Sequence, residues 1–376
     1  MTAKIDQFLD SQNLATPCLV VDLDEVANNY RRLKDAMPMA DIYYAVKANP
    51  AGPVLQTLHG LGSYFDAASV AEIDRCLAAG ASPADISYGS TIKKQGDIAT
   101  AYGLGVRIFG FDCENELAKL AIAAPGSKVY CRVLVENEGA AWPLAKKFGC
   151  SVDMAVDLMV AAKEKGLIPH GISFHVGSQQ TDTVQWDAAI AKAAMIFTDL
   201  REKSIEPEVL NLGGGFPTRY RDDVPEHKQI AAAIHDSMQR HFGNRQPALM
   251  LEPGRCIPGS AGIIRSEVIL VSKRSYDTDV RWVYLDVGKF GGLAETMDEA
   301  IQYPIRTPHD GGPAGPVAIA GPTCDGADVL YEKAGYELPL DLKEGDHVDL
   351  MAAGAYTASY ASIGFNGIPP LMEYYI

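Results

Sequence analysis

The feature that most constrains the fold is a regular alternation of short β-prone runs and helix-like stretches between residues 42 and 252. The apolar runs are Ile42–Val46, Tyr64–Asp66, Ile86–Tyr88, Val106–Phe111, Val129–Val135, Gly171–Val176, Val209–Leu212 and Ala248–Glu252. The stretches between them include Val70–Ala79, Glu114–Ala124, Val152–Lys165, Trp186–Lys203 and Ile230–Phe242. Eight β/α units of this size predict a closed (β/α)8 barrel rather than an open doubly wound sheet.

The pattern changes after Gly254, where helical periodicity nearly vanishes. Strand-like runs separated by Gly/Pro turns follow: Ile263–Val271, Arg281–Val287, Val317–Ala320 and His347–Met351. The N-terminal segment Pro17–Leu23 is also strand-like and precedes the first barrel helix. We therefore predict an α/β protein with a barrel over residues 26–256 and a mostly β domain formed by 1–25 together with 257–376.

Charge and cysteine usage exclude several classes of function. The chain has 33 Lys+Arg against 48 Asp+Glu, a net charge of −15, which argues against nucleic-acid binding and is compatible with a small cationic ligand. No signal peptide is recognisable and no apolar run is long enough for a membrane span. The seven cysteines are scattered without a CxxC pair. We expect a cytoplasmic protein with neither a metal site nor a membrane partner.

Chemically useful side chains stand at the predicted strand ends, where a barrel carries its active site. Lys47 is a Schiff-base candidate, and the glycines Gly213–Gly215 leave backbone N–H groups for an anion such as phosphate. Glu252 is suited to a protonated ring nitrogen, Arg255 to an anion held by its planar fork, and His175 to stacking on an aromatic cofactor. Singly, each also fits an ordinary role: a surface lysine, a flexible turn, an ion pair or a core histidine. Together they match the needs of a phosphorylated pyridine aldehyde.

Seven motifs then occur in order: YAVKAN, FDAAS, SFHVGSQ, LNLGGGFP, EPGR, GPTCDGAD and GAYTASYASIGFNG. With them, the chain from Pro17 onwards resembles the barrel-fold, pyridoxal 5'-phosphate (PLP)-dependent family of ornithine, lysine, diaminopimelate and arginine decarboxylases, which has the alanine-racemase-like type III fold. The resemblance implies a PLP enzyme that forms a head-to-tail homodimer with shared active sites. It also implies roles for individual residues.

By this resemblance, Lys47 binds PLP and Glu252 keeps the pyridine nitrogen protonated, where the family's alanine racemases have an arginine. Cys324, in a loop that reaches the neighbouring subunit's site, is the implied proton donor, so that Lys47, Cys324, His175 and Glu252 form the expected catalytic set. The expected cofactor-binding residues are Lys47, Asp66, Arg132, His175, Ser178, Gly214, Gly215, Glu252, Gly254, Arg255 and Tyr356.

The substrate prediction depends on acidic residues in the second domain. The family's diaminopimelate decarboxylases typically have Cys-Glu where this chain has Cys324-Asp325, and an aspartate suits a plain distal ammonium group. Asp310, in RTPHDGGP, lies where the family's substrate-selecting 3₁₀ turn is expected, although it also fits an ordinary turn residue. The expected substrate-binding residues are Asp310, Asp325, Tyr356 and Phe365.

We therefore expect decarboxylation of L-ornithine to putrescine and CO2, a step of polyamine biosynthesis. A lysine or dual lysine/ornithine decarboxylase is the first alternative, because the two substrates differ by one methylene, worth about 1–3 kcal/mol in a pocket. A diaminopimelate decarboxylase is less favoured. A non-catalytic family binding protein is disfavoured because it would be expected to lose Lys47, Glu252 or Cys324, and all three are present.

Overall fold

The computed structural model describes residues 3–135, 138–142 and 147–376. Its α-helices are α1 Ala3–Ser11, α2 Leu23–Ala36, α3 Gly52–Gly60, α4 Val70–Ala78, α5 Gln95–Gly103, α6 Glu114–Ala123, α7 Val152–Glu164, α8 Val184–Glu202 and α9 His227–Phe242. Short 3₁₀ helices lie at Val46–Ala48, Pro83–Asp85, Gly259–Ala261, Ala294–Glu299, Ala358–Tyr360 and Phe365–Gly367.

The first eleven strands are β1 Cys18–Val21, β2 Ala40–Ala45, β3 Tyr64–Ala67, β4 Ile86–Tyr88, β5 Ile108–Phe111, β6 Lys128–Arg132, β7 Ala140–Trp142, β8 Ile168–Ser173, β9 Ser178–Gln180, β10 Val209–Asn211 and β11 Ala248–Leu251. The later strands are β12 Gly262–Lys273, β13 Arg281–Leu285, β14 Ile305–Arg306, β15 Ala314–Ala320, β16 Val329–Tyr331, β17 Glu337–Pro339, β18 His347–Met351 and β19 Met372–Tyr375.

Eight parallel strands close into a barrel in the order β10-β11-β2-β3-β4-β5-β6-β8. The eight apolar runs of the sequence correspond one by one to these strands, and the predicted barrel is confirmed. The correspondence arises because a strand covered by helices is buried on both faces, so its sequence is apolar without alternation. Strand β4, for example, is buried along its whole length.

Local capping fixes where several barrel helices begin. The Ser69 side chain accepts the Glu72 N–H at the start of α4, and the Ser151 side chain accepts the Met154 N–H at the start of α7. These bonds satisfy N–H groups that have no partner within the helix. The helices that follow β3 and β6 thus begin at a defined residue, which leaves the carboxyl ends of these two strands in the connecting loops.

The remaining chain forms a nine-stranded, mostly antiparallel sheet along the path β14-β18-β12-β13-β15-β16, with β1, β17 and β19 attached. Strand β1 pairs antiparallel with β12 and parallel with β19, so the N-terminal strand belongs to this sheet. The mostly β character predicted after Gly254 is confirmed. Of the two compact units, the β unit comprises 1–26, 218–223 and 255–376, and the barrel unit 27–217 and 224–254. Residues 26, 218–223, 255 and 256 lie in the predicted barrel range of 26–256 but belong to the β unit.

No helix in the described part of the chain combines the length and apolar character needed to cross a membrane.

Candidate active site

Five predicted site residues of the barrel unit lie at carboxyl ends of strands. Lys47 is exposed in the 3₁₀ turn directly after β2, and Asp66 lies one residue before the end of β3. Arg132 ends β6, His175 follows β8, and Glu252 follows β11. The strands that carry them are consecutive or nearly so around the closed barrel, so these side chains gather at one end of it.

The Asp66 carboxyl is buried among other charges. Burial and the charges of Glu252 and Glu72 raise its pKa well above the usual range, while the Lys47 charge and the Gly89 N–H act in the opposite direction. The Gly89 N–H donates to Asp66 Oδ1 at 3.1 Å, and a Cβ on Gly89 would lie 2.1 Å from that oxygen. Asp66, Glu72, Glu252 and Lys47 therefore form one electrostatically coupled group.

The Glu252 carboxylate is held by two buried side chains. Tyr130 Oη donates to Glu252 Oε1 at 3.2 Å, and the Asn211 amide donates to the same oxygen. Tyr130 Oη also lies 3.1 Å from Ser87 Oγ, and burial together with the Glu252 and Asp66 charges raises the pKa of Tyr130. The carboxylate therefore has a fixed orientation, as a partner for a ring nitrogen requires.

His175 is a neutral imidazole in this setting. The Gly177 N–H donates to His175 Nδ1 at 3.0 Å, which assigns the ring proton to Nε2. Burial, followed by the positive charges of Arg132 and Lys47, lowers the pKa of His175 well below its usual range. The ring is thus suited to stacking on an aromatic group rather than to carrying charge.

The glycine turn after β10 is a tightly packed structure, not a flexible loop. Gly213 has φ +66° and Gly215 has φ +96°, and the Gly213 N–H donates to Asn211 Oδ1 at 2.9 Å. A Cβ on Gly214 would lie 2.6 Å from the Glu252 carbonyl oxygen and 3.2 Å from His175 Nε2. Only glycine allows this close approach.

Two further predicted cofactor residues of the barrel unit lie near these groups in the sequence. Ser178 begins β9, a short strand that pairs antiparallel with β7. Gly254 is buried two residues after Glu252. The cofactor-binding roles of both residues stay predictions.

In the β unit, Arg255 is fully engaged with a carboxylate that the sequence did not suggest. Arg255 Nη1 and Nη2 donate to Glu295 Oε2 and Oε1 at 2.7 and 2.6 Å, and Nη1 also donates to Tyr220 Oη at 2.9 Å. The Tyr356 ring centre lies 4.9 Å from the guanidinium, and Tyr356 has φ +55°. Two nitrogens of the guanidinium are thus paired with Glu295, and the expected role of Arg255 at an anion stays a prediction.

The predicted proton donor, Cys324, is exposed and held from two sides by one amide. The Cys324 N–H donates to Asn366 Oδ1 at 3.0 Å, and Asn366 Nδ2 donates to Cys324 Sγ at 3.3 Å. The loop is shaped by buried Asp328, which accepts the Thr323 N–H and hydroxyl at 3.1 and 2.8 Å. The thiol therefore has a defined position at the surface of the β unit.

The predicted substrate residues Asp325 and Phe365 are exposed on the same unit. Asp325 Oδ1 accepts the Ala327 N–H at 2.8 Å, which closes the loop tip. The Phe365 ring packs against Phe290 with centres 4.8 Å apart, next to Asn366 in the chain. Both lie in the segments that carry Cys324 and Asn366.

Asp310 does not lie in a 3₁₀ helix. Its carboxylate accepts the Thr307 N–H at 3.1 Å and the Thr307 hydroxyl at 2.6 Å, which closes an ordinary turn. The 3₁₀ helix of this region is Ala294–Glu299, and it contains Asp298 in the left-handed region at φ +52°. Glu299 in the same helix accepts the backbone N–H groups of Glu332 and Lys333. The 3₁₀ helix therefore offers Asp298 as a second candidate for substrate selection, and the role of Asp310 stays a prediction.

Sequence reasoning missed the residues that support the predicted ones: Tyr130, Asn211, Asp328, Glu295 and Asn366. Asn211 stands three residues before Gly214 in LNLGGG and Asn366 lies within GFNG, so a polar residue beside each motif was the available signal. Tyr130 and Glu295 had none, because each finds its partner far along the chain.

The barrel-unit site fits PLP. The close approach at Gly214 leaves backbone in place of side chain beside the His175 ring, Glu252 offers a fixed carboxylate for a ring nitrogen, and Lys47 offers an amine. These groups provide the contacts that a phosphorylated pyridine aldehyde needs.

Comparisons with known proteins agree with this fit. Residues 23–259 match the family model of the pyridoxal-dependent decarboxylase, pyridoxal binding domain. The chain is 35% identical over 362 residues to the lysine/ornithine decarboxylase of Selenomonas ruminantium, covering 95% of this chain and 88% of the relative. It is 30% identical over 372 residues to the ornithine decarboxylase of Rattus norvegicus, covering 95% and 80%.

A solved structure is equally similar. The lysine/ornithine decarboxylase of Vibrio vulnificus, complexed with cadaverine, superposes with a TM-score of 0.90 at 30% identity, covering 100% of this chain and 99% of that one. The folds therefore agree over both units of the chain. On these grounds the chain belongs to the PLP-dependent decarboxylases of basic amino acids, and PLP is its cofactor.

Proposed function

We propose that this decarboxylase acts on L-ornithine and releases putrescine and CO2, as a step of polyamine biosynthesis in the cytoplasm. The observation that carries the proposed chemistry is the Glu252 carboxylate fixed by Tyr130 and Asn211 at the barrel end that also carries Lys47. A carboxylate at a ring nitrogen keeps that nitrogen protonated, and PLP with a protonated ring supplies the electron sink for loss of CO2.

The barrel-unit residues bind and orient. Lys47 would hold the cofactor through its amine. The neutral His175 ring would offer a stacking face without adding charge, and the backbone of Gly214 and Gly215 would be available to the phosphate. Asp66 lies close enough to Lys47 for their charges to interact, which supports a role in controlling the protonation of that amine.

Proton delivery to the former α-carbon is assigned to Cys324 Sγ. Asn366 fixes the position of this atom through its Oδ1 and Nδ2. Because the Cys324 loop in this family reaches the neighbouring subunit's site, we infer that the chain works as a homodimer. Its activity would then depend on protein concentration around the dimer dissociation constant.

Recognition of the distal ammonium is assigned to acidic residues of the β unit. Asp325 beside Cys324 is one, and the two candidates for the second are Asp310, as expected from the sequence, and Asp298 in the 3₁₀ helix. Tyr356 and Phe365 add aromatic surface. Asp325, where the family's diaminopimelate decarboxylases typically have a glutamate, favours a diamino acid of the ornithine or lysine type over diaminopimelate.

The second candidate is a lysine or dual lysine/ornithine decarboxylase. It is favoured by the names of two similar proteins, those of Selenomonas ruminantium and Vibrio vulnificus, each called a lysine/ornithine decarboxylase. A non-catalytic binding protein is disfavoured because Lys47, Glu252 and Cys324 are all present.

The test is kcat/KM for CO2 release from L-ornithine, L-lysine and meso-diaminopimelate, measured side by side with PLP added. We expect an ornithine preference of about tenfold or more, equivalent to about 1.4 kcal/mol. Equal or better lysine turnover would move the enzyme to the dual or lysine class. Turnover of none of the three would contradict the proposed function.

A further inference from the structure

Glu295 forms a buried ion pair with Arg255, which is a predicted site residue. The Glu295 and Arg255 side chains are 5% and 2% exposed, and two hydrogen bonds of 2.7 and 2.6 Å join them. Burying two charges is costly unless their geometry is good, and a buried pair is weak evidence of a purely stabilising role. The position of Glu295 offers another role.

Glu295 connects two segments to which separate functions are assigned. Its partner Arg255 is the predicted phosphate-binding arginine. Glu295 itself lies in the 3₁₀ helix Ala294–Glu299, three residues before Asp298. The same carboxylate thus ties the arginine to the turn that carries the candidate substrate-selecting acid.

The geometry fixes the orientation of the guanidinium. A guanidinium presents its five N–H groups in one rigid plane, so fixing two nitrogens fixes the direction of the rest. Glu295 holds Nη1 and Nη2, Tyr220 Oη accepts a second bond from Nη1, and the Tyr356 ring lies 4.9 Å from the guanidinium carbon. Loss of Glu295 would leave the plane of Arg255 undefined.

We propose that Glu295 is a positioning residue that orients Arg255 for the cofactor phosphate and anchors the Ala294–Glu299 turn to it. This inference rests on the proposed function and on the role at the cofactor phosphate that the sequence predicts for Arg255. Because the two segments share one carboxylate, binding at either should affect the other. Removing Glu295 should therefore weaken PLP binding and raise the KM for the amino acid together.

The experiment compares Glu295→Gln and Glu295→Asp with a matched control, Asp349→Asn. Asp349 is 5% exposed and accepts a two-bond contact from Arg265, at 2.8 and 3.1 Å, in the same unit. The control therefore removes a similar buried charge away from the predicted site. The readouts are the PLP dissociation constant of the apoprotein, the rise in Tm on adding PLP, and the KM and kcat for L-ornithine.

We expect Glu295→Gln to weaken PLP binding by about tenfold or more and to reduce the PLP-induced rise in Tm. Glu295→Asp keeps the charge but withdraws it by one methylene. It should fold like the wild type, weaken PLP binding several-fold and raise KM more than it changes kcat. Asp349→Asn should lower the Tm of the apoprotein and leave PLP binding within about twofold.

PLP binding by both Glu295 variants that equals that of Asp349→Asn would overturn the proposal. If Glu295→Gln does not fold, Glu295→Asp decides. In the Arg255→Lys variant, the further change Glu295→Gln should weaken PLP binding by less than about twofold, because the arginine that Glu295 orients is already gone. A loss of PLP affinity in the double variant that equals the combined losses of the two single variants would also contradict the proposal. The wild-type protein is measured in parallel. If it binds PLP and releases CO2, the proposed function holds and the results for the variants test Glu295 alone.

Discussion

Each unit of the molecule contains a group of buried carboxyl groups, and the two groups have opposite electrostatic settings. At the barrel end, Asp66 interacts with the charges of Glu252, Lys47 and Glu72. Burial and the two neighbouring acids raise the pKa of Asp66, and burial raises the pKa of Glu72. In the β unit, Glu295 and Asp349 each face arginines. The pKa of Asp349 is lowered: burial opposes this, but the hydrogen bonds from Arg265 and Arg306 outweigh it.

The difference separates a group of charges that is arranged for chemistry from one that is arranged for structure. Acids that outnumber their cations are unfavourable for stability and are found where a proton or a cationic group must be controlled. Acids paired with arginine forks hold strands and turns together. Glu295 is of interest because it has the second kind of setting but contacts a predicted site residue.

The largest effect is expected from removing the lysine at the centre of the barrel-end group. Lys47→Ala should reduce CO2 release by on the order of 10⁴-fold or more, since a covalent attachment point and a transferable proton are both lost. Borohydride reduction followed by mass spectrometry should no longer find PLP joined to the chain. Lys93→Ala is unsuitable as a control because Lys93 is buried, so the exposed Lys94→Ala is used. Covalent PLP in Lys47→Ala would contradict the assignment.

Glu252→Gln should lower kcat by roughly 10²–10⁴-fold, because a neutral amide no longer holds a proton on the ring nitrogen. Tyr130→Phe removes one hydrogen bond to that carboxylate and should cost less, about 10- to 100-fold, since a hydrogen bond to a charged group contributes roughly 1.5–3 kcal/mol. Single-turnover CO2 release in both variants is the measurement. Equal kcat in wild type and Glu252→Gln would remove Glu252 from the chemistry.

Cys324→Ala should leave PLP bound but make amine formation fall behind CO2 release, because the α-carbon loses its proton donor. Asn366→Ala should give a weaker form of the same defect, about tenfold in amine yield, because the thiol is present but unheld. The ratio of putrescine to CO2 is the measurement, and Ser362→Ala in the same loop is the control. A putrescine-to-CO2 ratio that is unchanged in Cys324→Ala would exclude the thiol as donor.

Asp298→Asn and Asp310→Asn distinguish the two candidate acids. We expect Asp298→Asn to raise the KM for L-ornithine by about tenfold and Asp310→Asn to change it by less than about twofold, since the Asp310 carboxylate closes its own turn. A larger KM effect for Asp310→Asn would restore the assignment made from the sequence.

What the sequence could predict follows the same division between the units. The barrel and its strand-end residues were predictable because buried parallel strands give uninterrupted apolar runs, and the next polar residue marks the strand end, as at Lys47 and Glu252. The 3₁₀ helix at Ala294–Glu299 was not, because a short turn with two left-handed residues, Asp298 and Glu299, has no periodicity to detect. Asp310 stood beside glycines in a segment with a stronger turn signal. The Glu295–Arg255 pair joins residues 40 positions apart, which no local pattern encodes.

The smallest effect tests the comparison itself, through the pH dependence of apoprotein stability. For Asp66, the folded pKa lies above the unfolded value of about 3.9, so the folded state binds more protons and stability falls as pH rises above about 4. Asp66→Asn should therefore gain stability relative to wild type as pH increases.

For Asp349, the folded pKa lies below the unfolded value, so its contribution to the free energy of unfolding is present above about pH 4 and is lost as pH falls through the folded pKa. Asp349→Asn should accordingly be most destabilised at neutral pH and approach wild type in acid. The measurement is the urea midpoint of the wild-type, Asp66→Asn and Asp349→Asn apoproteins between about pH 3 and 8. If the stability difference between variant and wild type changes with pH in the same direction for both variants, the two groups of carboxyls do not differ as the charges around them indicate.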